Sequence, residues 1–395
     1  MHQMSSLLAA VAMSLALATS GALPARAVAS TTHWVAVEGV DSGTGSSCSE
    51  PGYVGGNQES IKAALAAASE GDTIHICAGE YVFTDDGYNG SLPSGITIVG
   101  DGAGTTILDG DETYYLIAID STDDLTISNL TLTRGYDSYG GALTLEDTNA
   151  VISSVKFLDN SADGSGVDYG GAALYIYDSS TVRVVGSRFE GNESAGNSAG
   201  GAINIFTGAL KESHVTIIGS DFIGNRAGQG PAIYTSDDDV HLGPVSTLTI
   251  RNSTFVENLN VSADDGGAIS HEHTNANLTL LSNRFDGNSG AGYGGAAEIW
   301  NVTGKIVVER NTFRSNSATE GGALWIDVRS GTRQIARNQF VANVADYGGA
   351  VAFECETTMA RRVSAAIARQ NRFSRNRATE DRRSSNVFAS NYGCD

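Results

Sequence analysis

Ser187-Arg188-Phe189-Glu190-Gly191-Asn192, followed by Gly200-Gly201-Ala202-Ile203, decides the fold, because both halves of this stretch return eight times along the chain. The Gly-Gly-Ala step stands at Gly140-Gly141-Ala142, Gly170-Gly171-Ala172, Gly200-Gly201-Ala202, Gly266-Gly267-Ala268, Gly294-Gly295-Ala296, Gly321-Gly322-Ala323 and Gly348-Gly349-Ala350, with Gly230-Pro231-Ala232 as its variant. The first glycines are spaced by 30, 30, 30, 36, 28, 27 and 27 residues. Each step is answered by Phe-x-x-Asn, at Phe157/Asn160, Phe189/Asn192, Phe222/Asn225, Phe255/Asn258, Phe285/Asn288, Phe313/Asn316, Phe340/Asn343 and Phe373/Asn376. A period of roughly 20 to 50 residues marks an array in which every unit buries its apolar face against the next.

The interior of the unit chooses strands over helices. Thr181-Val182-Arg183-Val184, Leu248-Thr249-Ile250-Arg251 and Lys305-Ile306-Val307-Val308 alternate apolar and polar residues and are rich in β-branched side chains. Paired glycines, with only five prolines in the chain, suit tight corners rather than capped helices. The expected architecture is all-β, a single-stranded right-handed parallel β-helix, with the repeats filling residues 140–376. Two residues before each Phe stand Ser187, Ser220, Ser253, Asn283, Asn311, Asn338 and Asn371, broken only by Val155. Stacked copies of such a residue can bond one another and satisfy corner amides. The Phe residues are expected to stack inside, and the Asn three residues later to occupy a left-handed turn.

A solenoid core grows linearly, so 395 residues are compatible with one domain, expected over 28–395. Residues 5 to 18 are apolar and precede Ala25-Arg26-Ala27, the pattern of a cleavable secretory signal over residues 1–27. No later stretch is long and apolar enough to span a membrane. The four cysteines, Cys48, Cys77, Cys355 and Cys394, bracket the repeats. In an exported chain they read as disulfides, and of the three possible pairings Cys48–Cys77 and Cys355–Cys394 need no link along the whole stack. With no Cys-x-x-Cys and no histidine read beside either pair, no metal site is expected there.

The net charge of −21 is uneven: residues 361–383 carry +6, so the remainder carries −27. An acidic body of this size disfavours nucleic acid and anionic membranes. Calcium could sit on the acidic face, although no oxygen-ligand loop motif places it.

Ahead of the repeats, residues 57–70 read as a short capping helix, with Ile61, Ala64, Leu65 and Ala68 on one side and Asn57 as its cap. Gly71-Asp72-Thr73-Ile74-His75-Ile76, Ile96-Thr97-Ile98-Val99-Gly100 and Leu125-Thr126-Ile127-Ser128 follow. This succession resembles the opening of right-handed parallel β-helix proteins of the pectin-lyase-like superfamily. The Gly-Gly-Ala and Phe-x-x-Asn units resemble the repeats of chlamydial polymorphic outer membrane proteins. The second resemblance implies an exported adhesin-like repeat domain, here without the carboxy-terminal barrel of that family and so released or held at the surface by other means. The first implies a glycan groove on an outer sheet, as in polysaccharide lyases and hydrolases. The polygalacturonase set of Asn-Thr-Asp, Asp-Asp, Gly-His-Gly and Arg-x-Lys is not found in order.

Strand alternation turns the second and fourth residues after each Ala outward, if the second coil carries one extra residue. One row is then Thr144, Tyr175, Asn204, Tyr234, Ser270, Glu298, Trp325 and Ala352, and the other Glu146, Tyr177, Phe206, Ser236, Glu272, Trp300, Asp327 and Glu354. The expected sugar platform is Tyr175, Tyr177, Phe206, Tyr234, Trp300 and Trp325, because aromatic faces hold the CH surfaces of sugars. Glu272, Glu298 and Asp327 are the expected acid and base residues, Glu272 and Asp327 being about 9.6 Å apart at two strand spacings. In His271-Glu272-His273 the histidines are expected to point inward or into a turn, not to share a metal with Glu272. The expected function is a secreted or cell-surface binding protein, monomeric, that recognises a glycan or a surface partner. Its rival is a polysaccharide lyase or glycoside hydrolase on the same face.

Overall fold

The computed structural model describes residues 30–39, 45–164, 166, 169–208, 210–237, 245–262, 266–272, 276–300, 302–327, 332–354, 365–381 and 385–390. Residues 1–27, where a secretory signal is expected, lie outside them with Cys355, Cys394 and His273, as do the side chains of Asp327 and Glu354. The described chain coils through three long parallel sheets of 12, 11 and 11 strands, each built by stacking one strand per coil.

One coil shows the logic. The alternating strand Thr181–Val185 buries Val182 and Val184 and shows Thr181 and Arg183 to solvent. Gly186 turns the chain at φ 54°, and the strand Arg188–Glu190 follows with Phe189 inward. Gly191 turns it again at φ 66°, and the loop reaches Gly200, at φ 63°. The strand Ile203–Thr207 then completes the circuit. A Cβ on Gly201 would lie 2.4 Å from the carbonyl oxygens of Arg226 and Pro231, so the second glycine is fixed by the approach of the next coil.

Neighbouring coils are locked at three points. Phe157, Phe189, Phe222, Phe255, Phe285, Phe313, Phe340 and Phe373 form one stack, with successive centroids 4.6 to 5.0 Å apart and planes within 12°. Full burial of a Phe contributes roughly 1.5–3 kcal/mol. The polar row before it forms the expected ladder: the Ser187 amide donates to Ser220 Oγ at 3.3 Å, and the Asn311 amide to Asn338 Oδ1 at 2.9 Å.

The third lock differs from expectation. Asn160 through Asn343 are buried to within 1% exposure and do not hold the left-handed corner. That conformation falls one residue earlier, at Asp159, Gly191, Gly224, Glu257, Gly287, Ser315, Ala342 and Arg375. The turn aims each Asn inward, where Asn258 Nδ2 donates to Asn288 Oδ1 at 2.9 Å and to the Phe222 carbonyl at 3.0 Å. Its own Oδ1 accepts the Asn225 amide at 3.1 Å and Asn225 Nδ2 at 2.9 Å. A side chain with two donors and an acceptor thus closes what would be unpaired groups at a buried corner.

The capping helix spans Gln58–Ala67, shorter at its end than the sequence suggested, and Asn57 Oδ1 accepts the Glu59 amide at its start. It packs Ile61, Ala64 and Leu65 into the first coil. Thr32–Ala36 pairs with Thr73–Ile76, and Asp72 pins it by accepting the Thr31 amide at 2.6 Å, the Ser69 amide at 2.9 Å and His33 Nε2 at 3.0 Å. Burial opposes charge on Asp72, but these donors outweigh it and hold its carboxyl below the usual range. The Cys48–Cys77 disulfide is formed. No helix among the described residues is long and apolar enough to cross a membrane.

Candidate functional site

The two outward rows stand in the expected register. Thr144 pairs with Tyr175, Tyr175 with Asn204, Asn204 with Tyr234, Tyr234 with Ser270, Ser270 with Glu298, and Glu298 with Trp325. Glu146 pairs with Tyr177, and Tyr177 with Phe206. The extra residue of the second coil is real.

Their exposure differs from expectation in the first row. Tyr175, Tyr234, Glu298 and Trp325 are 5%, 1%, 5% and 4% exposed. At three of these residues the reason is the segment entering a glycine corner, which runs alongside the row. Tyr139 lies 5.1 Å from the Tyr175 ring, Tyr293 lies 4.9 Å from Trp325, and a Cβ on Gly266 would lie 2.3 Å from that of Glu298. Alternation gives the direction of a side chain, not what lies over it. Most of the second row keeps surface: Glu146, Tyr177, Phe206 and Glu272 are half-buried and Trp300 is 39% exposed, although Ser236 is buried.

Glu272 and Glu298 meet through a hydroxyl. Ser270 Oγ lies 3.0 Å from Glu272 Oε1 and 3.1 Å from Glu298 Oε2, and Tyr234 Oη donates to Glu272 Oε2 at 3.0 Å. Burial, then the Glu272 charge and hydrogen bond, push the Tyr234 hydroxyl well up, so it stays a donor. His271 is buried, its Nδ1 beside Thr235 Oγ1, as its inward direction implied.

The open groove lies earlier in the coil stack. A depression of about 470 Å³ is lined by Asp120, Asp137, Tyr139, Thr144, Glu146, Tyr175, Tyr177 and Phe206. Tyr177 stacks between Tyr175 and Phe206, with centroids at 6.1 and 5.7 Å and planes within 18°. Tyr139 stacks on Tyr169 at 4.7 Å and closes the other wall. Asp120 and Glu146 are partners in adjacent strands. Burial, then the charges of Asp120, Asp178 and Asp147, hold the Glu146 carboxyl above its usual range. Burial does the same for Asp137, with Asp86 and Asp163 adding to it against the Ser138 amide. The groove therefore joins a flat aromatic wall to three carboxyl groups, two of which keep their protons to higher pH than a free side chain.

Tyr175, Tyr177 and Phe206 are brought together here, whereas Tyr234, Trp300 and Trp325 lie elsewhere on the stack. Asp120 and Asp137 were missed. Ile117–Asp120 carries the same alternation as Leu143–Glu146, but no Gly-Gly-Ala precedes it, so a reading keyed on that step begins one coil late.

Residues 94–313 match the right handed beta helix region family, more than half of the chain, and the protein belongs to that family. Among solved structures it is similar to a mannuronic acid specific polysaccharide family 6 lyase enzyme from human gut microbiota, at 13% identity and a TM-score of 0.40, over 84% of this chain and 88% of that one. No curated protein matches the chain.

Proposed function

We propose that this is an exported or surface-displayed binding protein whose groove over Asp120, Glu146, Tyr177 and Phe206 holds a neutral glycan. The observation that carries the reading is one depression in which stacked aromatic rings face carboxyl groups. Sugar CH faces lie on aromatic rings, and carboxylates accept hydroxyl hydrogen bonds. The acidic lining disfavours polyuronates by repulsion, unless calcium bridges them. Export is supported by the apolar run before Ala25-Arg26-Ala27. In retention assays on neutral and acidic polysaccharides, with and without calcium, Tyr177→Ala and Phe206→Ala should each weaken neutral-glycan retention. The expected loss is about 1–2 kcal/mol, near tenfold, with the fold unchanged. Wild-type retention in both variants would remove the groove as the site.

A second reading is cleavage of a glycan bound in the same groove, favoured by the raised carboxyls of Glu146 and Asp137, since a general acid must hold its proton near the working pH. Glu272 and Glu298, joined by Ser270, and Asp327 stay the alternative acid and base set on this reading. Mass spectrometry of soluble products separates the cases. Saturated fragments mean a hydrolase, and unsaturated ones a lyase acting on a uronate-containing glycan in place of the neutral one, since β-elimination needs the carboxyl of a uronate. Either product is lost in Glu146→Gln if the groove is the centre and in Glu272→Gln if the other set is. Retention without products leaves binding as the function.

A further inference from the structure

The first coil gathers a second set of side chains with a different chemistry. His75 lies on the strand Thr73–Ile76 two residues before Cys77, so both leave the same face of the chain. Asp101 follows the next strand of that sheet, Thr97–Gly100, and Cys48 reaches over from the amino-terminal loop to bond Cys77, with Cα atoms 5.7 Å apart. One ligand atom from each of Cys48, His75, Cys77 and Asp101 lies within 4.8 Å of all the others. His75 Nε2 is 2.7 Å from Asp101 Oδ1. Asp101 Oδ2 accepts the Ala78 amide at 2.8 Å and lies 3.7 Å from Cys48 Sγ. Trp34 packs on the imidazole with ring centroids 4.3 Å apart. The carboxylate and the imidazole are therefore held in place by neighbours beyond the group itself, as metal ligands are.

We propose that in the reduced chain Cys48, His75, Cys77 and Asp101 bind one zinc ion, so that the amino-terminal loop is fastened by a disulfide when oxidised and by zinc when reduced. Two sulfurs, one imidazole nitrogen and one carboxylate oxygen make a tetrahedral donor set suited to Zn²⁺. Zinc–sulfur bonds of about 2.3 Å place the two sulfurs about 3.8 Å apart, within reach of side-chain rotation about the same Cα positions. A phosphine reductant supplies two electrons to the Cys48–Cys77 bond and becomes a phosphine oxide with the oxygen of one water, whose two protons go to the thiols. Zn²⁺ then displaces the two thiol protons to solvent, and no further electron moves. The expectation of no metal rested on the missing Cys-x-x-Cys and on finding no histidine near either cysteine pair, and His75, beside Cys77 in the chain, corrects the second ground. The third ligand instead comes two residues before Cys77, and the fourth from the neighbouring coil.

The test uses the full chain, reduced with a water-soluble phosphine, freed of metal and titrated with Co²⁺ and then Zn²⁺. The reduced chain should take up cobalt with a thiolate charge-transfer band and tetrahedral ligand-field bands, both bleached by zinc, and the oxidised chain should show neither. Cys48→Ser should at least halve the charge-transfer band, and Cys48→Ser/Cys77→Ser should abolish it. His75→Ala should weaken zinc at least as much as the roughly 10-fold that follows loss of a supporting residue. The Cys355→Ser/Cys394→Ser double variant should keep the full signal. Equal cobalt spectra in wild type and Cys48→Ser/Cys77→Ser would overturn the proposal. So would a reduced chain that keeps its far-ultraviolet dichroism yet shows no thiolate band, or one that unfolds on reduction whether or not zinc is present.

Discussion

From Phe157 to Phe340 each Phe strand is flanked by two residues in the left-handed conformation, and the chain answers with glycine only in part. Before the serine and asparagine ladder stand Gly186 and Gly219, but also Ser282, Arg310 and Arg337, all near φ 60°. Before the buried asparagines, Ala342 sits at φ 56° with no polar side chain to offset the strain. For an L-residue this region costs roughly 1–2 kcal/mol, and glycine adds about 0.4–1 kcal/mol of unfolded-chain entropy in return. Ala342→Gly should therefore raise stability by about 0.5–1 kcal/mol, read from denaturant midpoints at constant slope; a fall in midpoint would refute the strain argument. Asn258→Leu should act in the opposite sense. It strips partners from Asn225 and from the Phe222 carbonyl, and each unmet buried group costs about 1–3 kcal/mol, so a loss of at least ~3 kcal/mol is expected. A loss under about 1 kcal/mol would mean that water replaces the amide.

At the scale of the strand, the sheet after each Gly-Gly step carries both structure and site, and the sequence disclosed these unequally. Period-two alternation places Tyr175 and Tyr177 on one side of a strand, and the repeat gives their neighbours in the next coil. Both are local and were legible. The cover over Tyr175 and Trp325 was not, although a tyrosine stands just before the Gly-Gly step at Tyr139, Tyr169, Tyr293 and Tyr347, because alternation within a strand does not give the path that lays Tyr139 and Tyr293 over the row. Asp120 was lost for the opposite reason, since it sits on a strand with the right alternation in a coil that lacks the marker. The groove has a consequence for pH. Glu146 and Asp137 have raised carboxyl values in the folded chain, so folding takes up protons there. Their stabilising contribution is full below the ordinary carboxylate value and is lost as pH rises through the raised one. Glu146→Gln should flatten the fall in stability as pH rises above the ordinary carboxylate range and stabilise the chain at neutral pH, by under about 1 kcal/mol after screening. An unchanged slope there would show that the burial of Glu146 is not felt. Asp72 runs the other way: its lowered carboxyl stabilises above the unfolded value, and that contribution is lost as pH falls through the folded one.

Over the whole molecule, contacts run between successive coils, so stability is a chain of nearest-neighbour terms rather than one shared core. The Phe stack and the asparagine ladder tie the middle coils on both sides, whereas the first coil has a neighbour on one side only. It is held instead by the helix Gln58–Ala67, the Asp72 hydrogen bonds and the Cys48–Cys77 link, which closes a sequence separation of 29 residues. Closing a loop of this length contributes about 3–4 kcal/mol in the chain-entropy account. If the coils are coupled only to neighbours, its loss should stay local. Hydrogen exchange on Cys48→Ser/Cys77→Ser, with a chelator present, should show faster exchange in the strands Thr32–Ala36, Thr73–Ile76 and Thr97–Gly100. Protection of the Phe222–Phe340 coils should stay at the wild-type level. A uniform rise along the stack would mean that the solenoid opens as one cooperative unit, and that its amino-terminal closure sets the stability of the distant coils as well.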